Sequence, residues 1–250
     1  MKFAGFIITF CRKEIASQSI LKIFEQSVKP EELLIIDNDP EMSASAIGSS
    51  LSHLPLSYVP MGYNAGPSGA AKKGLELLVA KGYDFVAWYD DDDPPFFEDV
   101  HEVLLKVLHD NPDCGCTGVV GQLFYRRKGL MKRVDDRQLE GDGCVEVDNI
   151  AGNMIKIINA AVIRLHAITP EEKLFFGFEE LDLDLQIKRY GYSLLVDKSI
   201  YRRHRVLHQR VGIKVKKNLV KTDRQLKRDY YSTRNMLYLL KRERLFTAIL

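Results

Sequence analysis

The chain has 250 residues, 36 Lys+Arg against 34 Asp+Glu for a net charge of +2, and is 46% hydrophobic and 28% charged. Such a length holds one large domain or two small ones with a proper core, in an ordinary globular composition. Near-balanced charge argues against a dedicated nucleic-acid binder. Cys11, Cys114, Cys116 and Cys144 lack both the density of a disulfide scaffold and the C-x-x-C spacing of a zinc site.

No apolar run reaches the roughly 18–20 residues that span a bilayer, and Cys11-Arg12-Lys13 breaks the apolar N-terminus too early for a secretion signal. A reduced, cytoplasmic setting is the expectation.

The first half alternates strand and helix patterns. Phe3 to Thr9 reads as a strand, Ser17 to Val28 as a helix, Leu33 to Ile36 and Leu56 to Met61 as two further strands. A glycine-rich turn from Gly62 to Gly69 leads into a helix carrying Leu75, Leu78 and Val79. Tyr83 to Tyr89 is a fourth strand, followed by a helix from about Phe97 to Leu108. This order predicts a mainly parallel sheet with helices on both faces and right-handed crossovers.

Beyond Gly121 the pattern loosens. The basic Tyr125 to Arg133 and polar Asp135 to Asp148 suggest a hairpin or excursion. Gly152 to Ile158 is apolar, Asn159 to Leu165 helical, and a helix starts at the acidic Glu179 and runs to about Tyr190. A strand around Leu194 to Val196, a basic stretch with His204 and His208, and a charged helix from about Asp223 to Arg242 complete the chain. One domain with a C-terminal helical appendage is the expected organisation.

Polar clusters share one address. Asp37-Asn38 and Asp90-Asp91-Asp92-Asp93 each begin where an apolar strand ends, and open α/β sheets bind ligands outside the carboxyl ends of their strands. Four adjacent carboxylates repel one another, and a divalent cation relieves that repulsion. Hard oxygens select Mg, Mn or Ca, and a metal there can hold a diphosphate. The simpler reading is a solvated acidic loop capping the next helix. Glu179, Glu180, Asp182 and Asp184 crowd another helix start, which the helix dipole alone would favour.

Six segments, in chain order over about residues 3 to 240, resemble inverting family 2 glycosyltransferases with a GT-A fold. They are Ile7-Ile8-Thr9-Phe10-Cys11-Arg12, Leu34-Ile35-Ile36-Asp37-Asn38, Asn64-Ala65-Gly66-Pro67-Ser68-Gly69-Ala70, Trp88-Tyr89-Asp90-Asp91-Asp92-Asp93, Phe178-Glu179-Glu180-Leu181-Asp182-Leu183 and Tyr230-Tyr231-Ser232-Thr233-Arg234-Asn235. Two departures stand out. Glu179-Glu180 replaces the usual Glu-Asp, and the four aspartates allow two registers for the D-x-D, Asp90 with Asp92 or Asp91 with Asp93.

The resemblance implies a Rossmann-like nucleotide-sugar half over about residues 1–120, an acceptor half over about 121–220 and an appendage over 221–250. It implies Mn2+ or Mg2+ held by Asp90, Asp92 and His204. A UDP or dTDP sugar would be bound by Thr9, Phe10, Arg12, Asp37, Asn64, Gly66, Asp90 and Asp91. Glu180 would be the catalytic base, with Asp182 next, acting on a glycan or lipid-linked glycan acceptor. A galactofuranosyl- or rhamnosyltransferase-like branch is compatible with it. For His204, the alternative is a surface histidine in Arg202-Arg203-His204-Arg205.

Among the basic clusters, Arg205 and Arg210 are candidates for stabilising a leaving diphosphate. The basic, amphipathic end after Lys241 suggests peripheral contact with an anionic membrane. Two other functions are open on residues alone: a non-enzymatic acidic metal-binding module and a metal-dependent phosphohydrolase. The second needs D-x-D-x-[T/V], and with Asp90 as its first residue Pro94 stands at its last position.

Overall fold

A computed structural model describes residues 1–211 and 223–243. Nine strands form one sheet in the order β3-β2-β1-β4-β8-β5-β9-β7, with β6 paired to β5. The first four are β1 (Phe3–Thr9), β2 (Leu33–Asp37), β3 (Leu56–Pro60) and β4 (Phe85–Asp90), all parallel. β1 and β2 are unbroken apolar runs because helices cover the sheet. Phe6 lies against α3 (Gly66–Ala80) at Gly74, while Phe3, of opposite parity in the strand, meets His101 of α4 (Val100–Asp110) edge-on. Alternation along β1 thus puts α3 and α4 on opposite faces.

The remaining helices and strands are α1 (Lys13–Phe24), α2 (Ile47–Ser50), β5 (Cys114–Tyr125), β6 (Leu130–Arg133), β7 (Cys144–Glu146), β8 (Asn149–Asn159), α5 (Ala160–His166), α6 (Glu179–Arg189), β9 (Ser193–Asp197), α7 (Lys198–Leu207) and α8 (Asp223–Arg242). β8 runs antiparallel between β4 and β5, and β9 is parallel to β5, so the second half is a mixed sheet joined edge-on to the parallel one. This is the expected α/β architecture. The hairpin expected around residues 125–133 is β5 turning into β6, with Gln122 opposite Arg133.

Several elements differ from the sequence reading. β5, near the middle of the sheet, was not expected, nor were the short α2 and β7, and the basic stretch after β9 is the helix α7, with Ile200, Tyr201, His204 and Arg205 buried. Helix α1 also begins and ends four residues earlier than the pattern suggested.

One main apolar core runs through both halves of the sheet. A smaller cluster joins Phe124, Leu174, Leu181 and Leu185 to Leu239 and Leu240 of α8, so the C-terminal helix packs on α6 and the far end of β5. No helix among the described residues is long and apolar enough to cross a membrane. The 220/221 boundary and most of the stretch after Lys241 lie outside the described residues.

Candidate active site

A cavity of about 600 Å3 opens beyond the carboxyl ends of β1 and β4. It gathers Thr9, Phe10, Arg12, Asn64, Gly66, Asp90, Asp91, Asp92 and Glu180, each of them expected at the site. Asn38, Phe175, Phe176, Gly177, Glu179 and Arg228 join them. Strand ends, the start of α3, the start of α6 and one residue of α8 therefore meet in one place.

The aspartate run is divided in role. Arg12 bridges its middle: Nη2 lies 2.6 Å from Asp91 Oδ1, and Nη1 2.6 Å from Asp92 Oδ2. Asp91 is buried, and its main-chain oxygen accepts from Ser19 Oγ at 2.6 Å. Burial pushes the Asp91 carboxyl up to about 6, with Arg12 opposing the shift. Asp90 rises well above the carboxylate range through burial and the facing charges of Glu180, Asp92, Asp91 and Asp93.

This crowding is what a divalent cation would relieve, and the donors are hard oxygens suited to Mg2+ or Mn2+. Among the described residues no three His, Cys, Asp or Glu side chains form a ready-made metal cage. The residues fit an ion held by one or two carboxylates with the rest of its shell from water and phosphate oxygens.

Glu180 faces Asp90 across Gly152 of β8. A Cβ at Gly152 would lie 2.5 Å from Glu180 Oε1 and 3.3 Å from Asp90 Oδ2, so the missing side chain is what lets the two carboxylates converge. The neighbouring Glu179 is buried, and burial, then Glu180 and Asp90, hold its carboxyl well above the usual range.

The loop leading to these acids is contorted. Phe175, Gly177 and Phe178 have φ of 60°, 85° and 69°, and left-handed backbone costs a non-glycine residue energy that its surroundings must supply. Helix α8 supplies it. Asn235 Nδ2 donates to the carbonyls of Leu174, Phe176 and Gly177 at 2.9, 2.9 and 2.7 Å. Arg234 donates to Lys173 and Leu174, Tyr231 packs on Phe175, and the Arg228 guanidinium lies 5.5 Å over the Phe176 ring. On the other side, Gly66 adopts φ +66° where any Cβ would collide with the Phe175 carbonyl. Asn64 Oδ1 accepts from Gly66 N at 3.0 Å, which fixes that approach.

Three expected residues are not in the cavity. Asp37 is fully buried: Oδ1 accepts from Asp39 N, and Oδ2 accepts from Ala44 N and the Tyr58 hydroxyl, all at 2.9 Å. Its carboxylate organises the loop after β2, and Asn38 is the residue of that pair that reaches the site, bonded to Ala65 and Gly66. Asp182 is also fully buried, ion-paired to Arg242 of α8 and accepting from Glu171 N at 2.7 Å. That position holds it outside the cavity. His204 is buried on the inner side of α7 against His208, beside Arg133, Arg205 and Arg210. Burial and these cations hold its imidazole down to about 4, and the same cations disfavour a metal there.

Arg205 pairs with Asp136 and the Val134 carbonyl rather than lining the cavity. Asp184, one of the acids at that helix start, is paired with Lys156, a lysine hidden in the apolar run of β8. The sequence signal for that pair was a lone charge inside a strand. Arg228 and Glu179 also went unassigned in the sequence reading.

The sequence model of "Glycosyl transferase family 2" matches residues 6–141. The chain is 25% identical over 198 residues to galactofuranosyltransferase GlfT1 of Mycolicibacterium smegmatis, a match covering 74% of this chain and 65% of that protein. Among solved structures, S. aureus TarS with UDP superposes at TM-score 0.59 and 14% identity, over 78% of this chain and 57% of that one. Mannosyltransferase PcManGT of Pyrobaculum calidifontis, with GDP-Man and Mn2+, matches at 0.55 and 14%, over 84% and 60%. GalNAc-T7 with UDP, GalNAc and Mn2+ matches at 0.61 and 12%, over 79% and 42%. The chain thus spans about two-thirds or less of the length of each of these proteins. These structures share the GT-A fold, and with a family match over more than half its residues the chain belongs to glycosyl transferase family 2.

Proposed function

We propose that the chain transfers a sugar from a nucleoside diphosphate to a hydroxyl of a glycan acceptor, with inversion at the anomeric carbon. The observation that supports it best is the convergence of Glu180 and Asp90 over Gly152, inside a cavity at the strand ends. About residues 1–120 hold the donor and about 121–220 the acceptor.

Glu180 takes the proton of the acceptor hydroxyl. That oxygen attacks the anomeric carbon from the face opposite the diphosphate, the bond to the phosphate oxygen breaks, and the nucleoside diphosphate leaves. One displacement and one base suffice. Asp90 and Asp92 would hold Mn2+ or Mg2+, which when bound offsets the negative charge on the departing diphosphate. Arg12 keeps Asp91 and Asp92 in register, and Arg228, set over Phe176, adds a cation to the phosphate side. Thr9 and Phe10 form the wall for the base. TarS was solved with UDP and the curated relative is a galactofuranosyltransferase, so UDP donors, a galactofuranosyl donor among them, head the panel to test.

The test combines calorimetry of UDP, dTDP and GDP with and without Mn2+, and transfer assays of two variants. Glu180→Gln should keep donor binding and lose about 10²–10⁴-fold in rate. Asp182→Asn should transfer at a near-normal rate per folded molecule. Normal transfer by Glu180→Gln, a product that retains the donor's configuration, or no nucleotide affinity would each overturn the reading.

A further inference from the structure

Two segments far apart in sequence share a face on the side of α8 turned away from the loop at 174–178. Asn235 and Leu239 of α8 are buried, while Leu226, Tyr230 and Leu237, spaced by four and seven residues, form one outward stripe. The β5–β6 turn lies beside that stripe: a Cβ at Gly129 would sit 3.0 Å from Leu240 Cδ1 and 3.7 Å from Met236 Cγ. Tyr125 and Leu130 are paired across the turn. All five of these leucines and tyrosines are between 45% and 63% exposed.

The same face is basic. The turn itself is Arg126-Arg127-Lys128, and Lys241 follows Leu237 by four residues on the stripe. These four cations are exposed, and none is in an ion pair among the described residues. Elsewhere on the surface Lys22 pairs with Glu25, Lys81 with Glu32 and Lys106 with Asp110. The acids near the face are already engaged: Asp135 with Lys132, Glu243 with Arg189 and Arg242, and Asp229 with a partner as well. The whole chain carries only +2, so this is a local concentration of charge.

Exposed leucines and tyrosines set among unpaired cations match the boundary of an anionic bilayer, where phosphates meet acyl chains and tyrosine is at home. A second copy of this chain is a poorer occupant, because two-fold pairing of the face sets Arg126, Arg127 and Lys128 against like charges. We propose that the β5–β6 turn and the outer stripe of α8 together dock on an anionic lipid surface, the cations at the headgroups and the leucines and tyrosines at the acyl boundary. Docked so, α8 lies between the bilayer and the loop that Asn235 clamps. The face is distinct from the stretch after Lys241, and its docking uses no residue of the donor cavity, so it stands or falls apart from the transfer reaction.

The test is flotation of the full chain with vesicles of phosphatidylcholine alone and of phosphatidylcholine with phosphatidylglycerol, at low and high salt. The unmodified protein should float only with the anionic vesicles, and less as salt rises. Each basic residue near such a surface adds about fivefold in affinity, so the triple change Arg126→Gln, Arg127→Gln, Lys128→Gln should weaken binding by about a hundredfold. The pair Leu226→Ser, Leu237→Ser should weaken it by at least about tenfold through lost apolar contact. Both variants should keep the UDP affinity of the unmodified chain, and the second decides the matter where the first fails to fold. No binding of the unmodified protein to anionic vesicles, equal binding by either folded variant, or a dimer in light scattering that the leucine pair abolishes would each overturn the proposal.

Discussion

Lys156 and Asp184 form an ion pair at 2.6 Å, with both side chains out of solvent. The second oxygen of Asp184 accepts from Ile150 N at 2.6 Å, and Lys156 Nζ also donates to the Glu180 carbonyl at 3.2 Å. The pair ties β8 to the first turn of α6 and so fixes the height of the base above the sheet.

Removing one partner leaves a buried charge alone. Lys156→Met should lower stability by about 3–5 kcal/mol, and the double change Lys156→Met with Asp184→Leu should recover most of the loss. Urea unfolding of both variants checks this. In the double variant, a folded protein with a reduced transfer rate and normal UDP affinity would mark the pair as a positioning device for Glu180.

Asp37→Ala should act on stability and leave donor affinity nearly unchanged. Its carboxylate satisfies two backbone N–H groups and the Tyr58 hydroxyl, and losing hydrogen bonds to a charged group should cost about 2–4 kcal/mol. The same contact and burial push the Tyr58 hydroxyl up to about 12, so the variant should also lower that value toward the ordinary one. Calorimetry with UDP, thermal unfolding and a spectroscopic tyrosine titration measure the three effects.

Asn235→Ala should slow transfer by at least about tenfold. The three carbonyls it serves belong to the loop whose residues Phe175, Gly177 and Phe178 have positive φ, and relaxation there shifts Glu180. Stability should fall by about 1–3 kcal/mol, and Asn235→Gln should not restore the rate because the longer amide misplaces the donor. Rates corrected for folded fraction are the readout.

Stability should drop on the acid side through His101. Its ring is enclosed between Tyr89 OH at 2.9 Å and the Val28 carbonyl at 2.7 Å, and burial holds its pKa down to about 4 against the opposing Val28 bond. The free imidazole titrates near 6.5, so between about pH 6.5 and 4 the unfolded chain takes up a proton that the folded one refuses. The contribution is full above about 6.5 and is lost as pH falls, to a limit of roughly 3 kcal/mol. His204 acts in the same sense, while Asp91 and Asp184, raised to about 6, act in the opposite sense over the same range. Comparing the chain with His101→Gln isolates the histidine: the stability gap between them should narrow as pH is lowered.

Elements whose sequence pattern matches their environment were legible, and the others were not. β1, β2 and β4 are apolar runs largely buried on both faces, the edge strand β3 is half-buried, and α6 and α8 start where acidic or charged helix patterns start, so their bounds came within a few residues. β5 was hidden because Gly115, Gly118 and Gly121 interrupt it, each set against a packed neighbour, Ile187, Ile150 and Val147 in turn. α7 was hidden because its inner face carries His204 and Arg205, which read as surface residues. Strand-end position correctly gathered Asp90, Asp91 and Asp92. The same rule misplaced Asp37, because position along a strand does not say whether a carboxylate turns into the crevice or back into its own loop. Asp182 was hard to place for a related reason: its buried partner Arg242 comes from a distant segment, as Lys156 does for Asp184.

The bond between α8 and the loop at 174–178 also sets an order of events during synthesis. The sheet and the aspartate run are complete by residue 197, yet the carbonyls of Leu174, Phe176 and Gly177 lack the Asn235 clamp until that residue emerges. A nascent chain halted before that point would carry a finished sheet and an acid-bearing loop not yet set by α8.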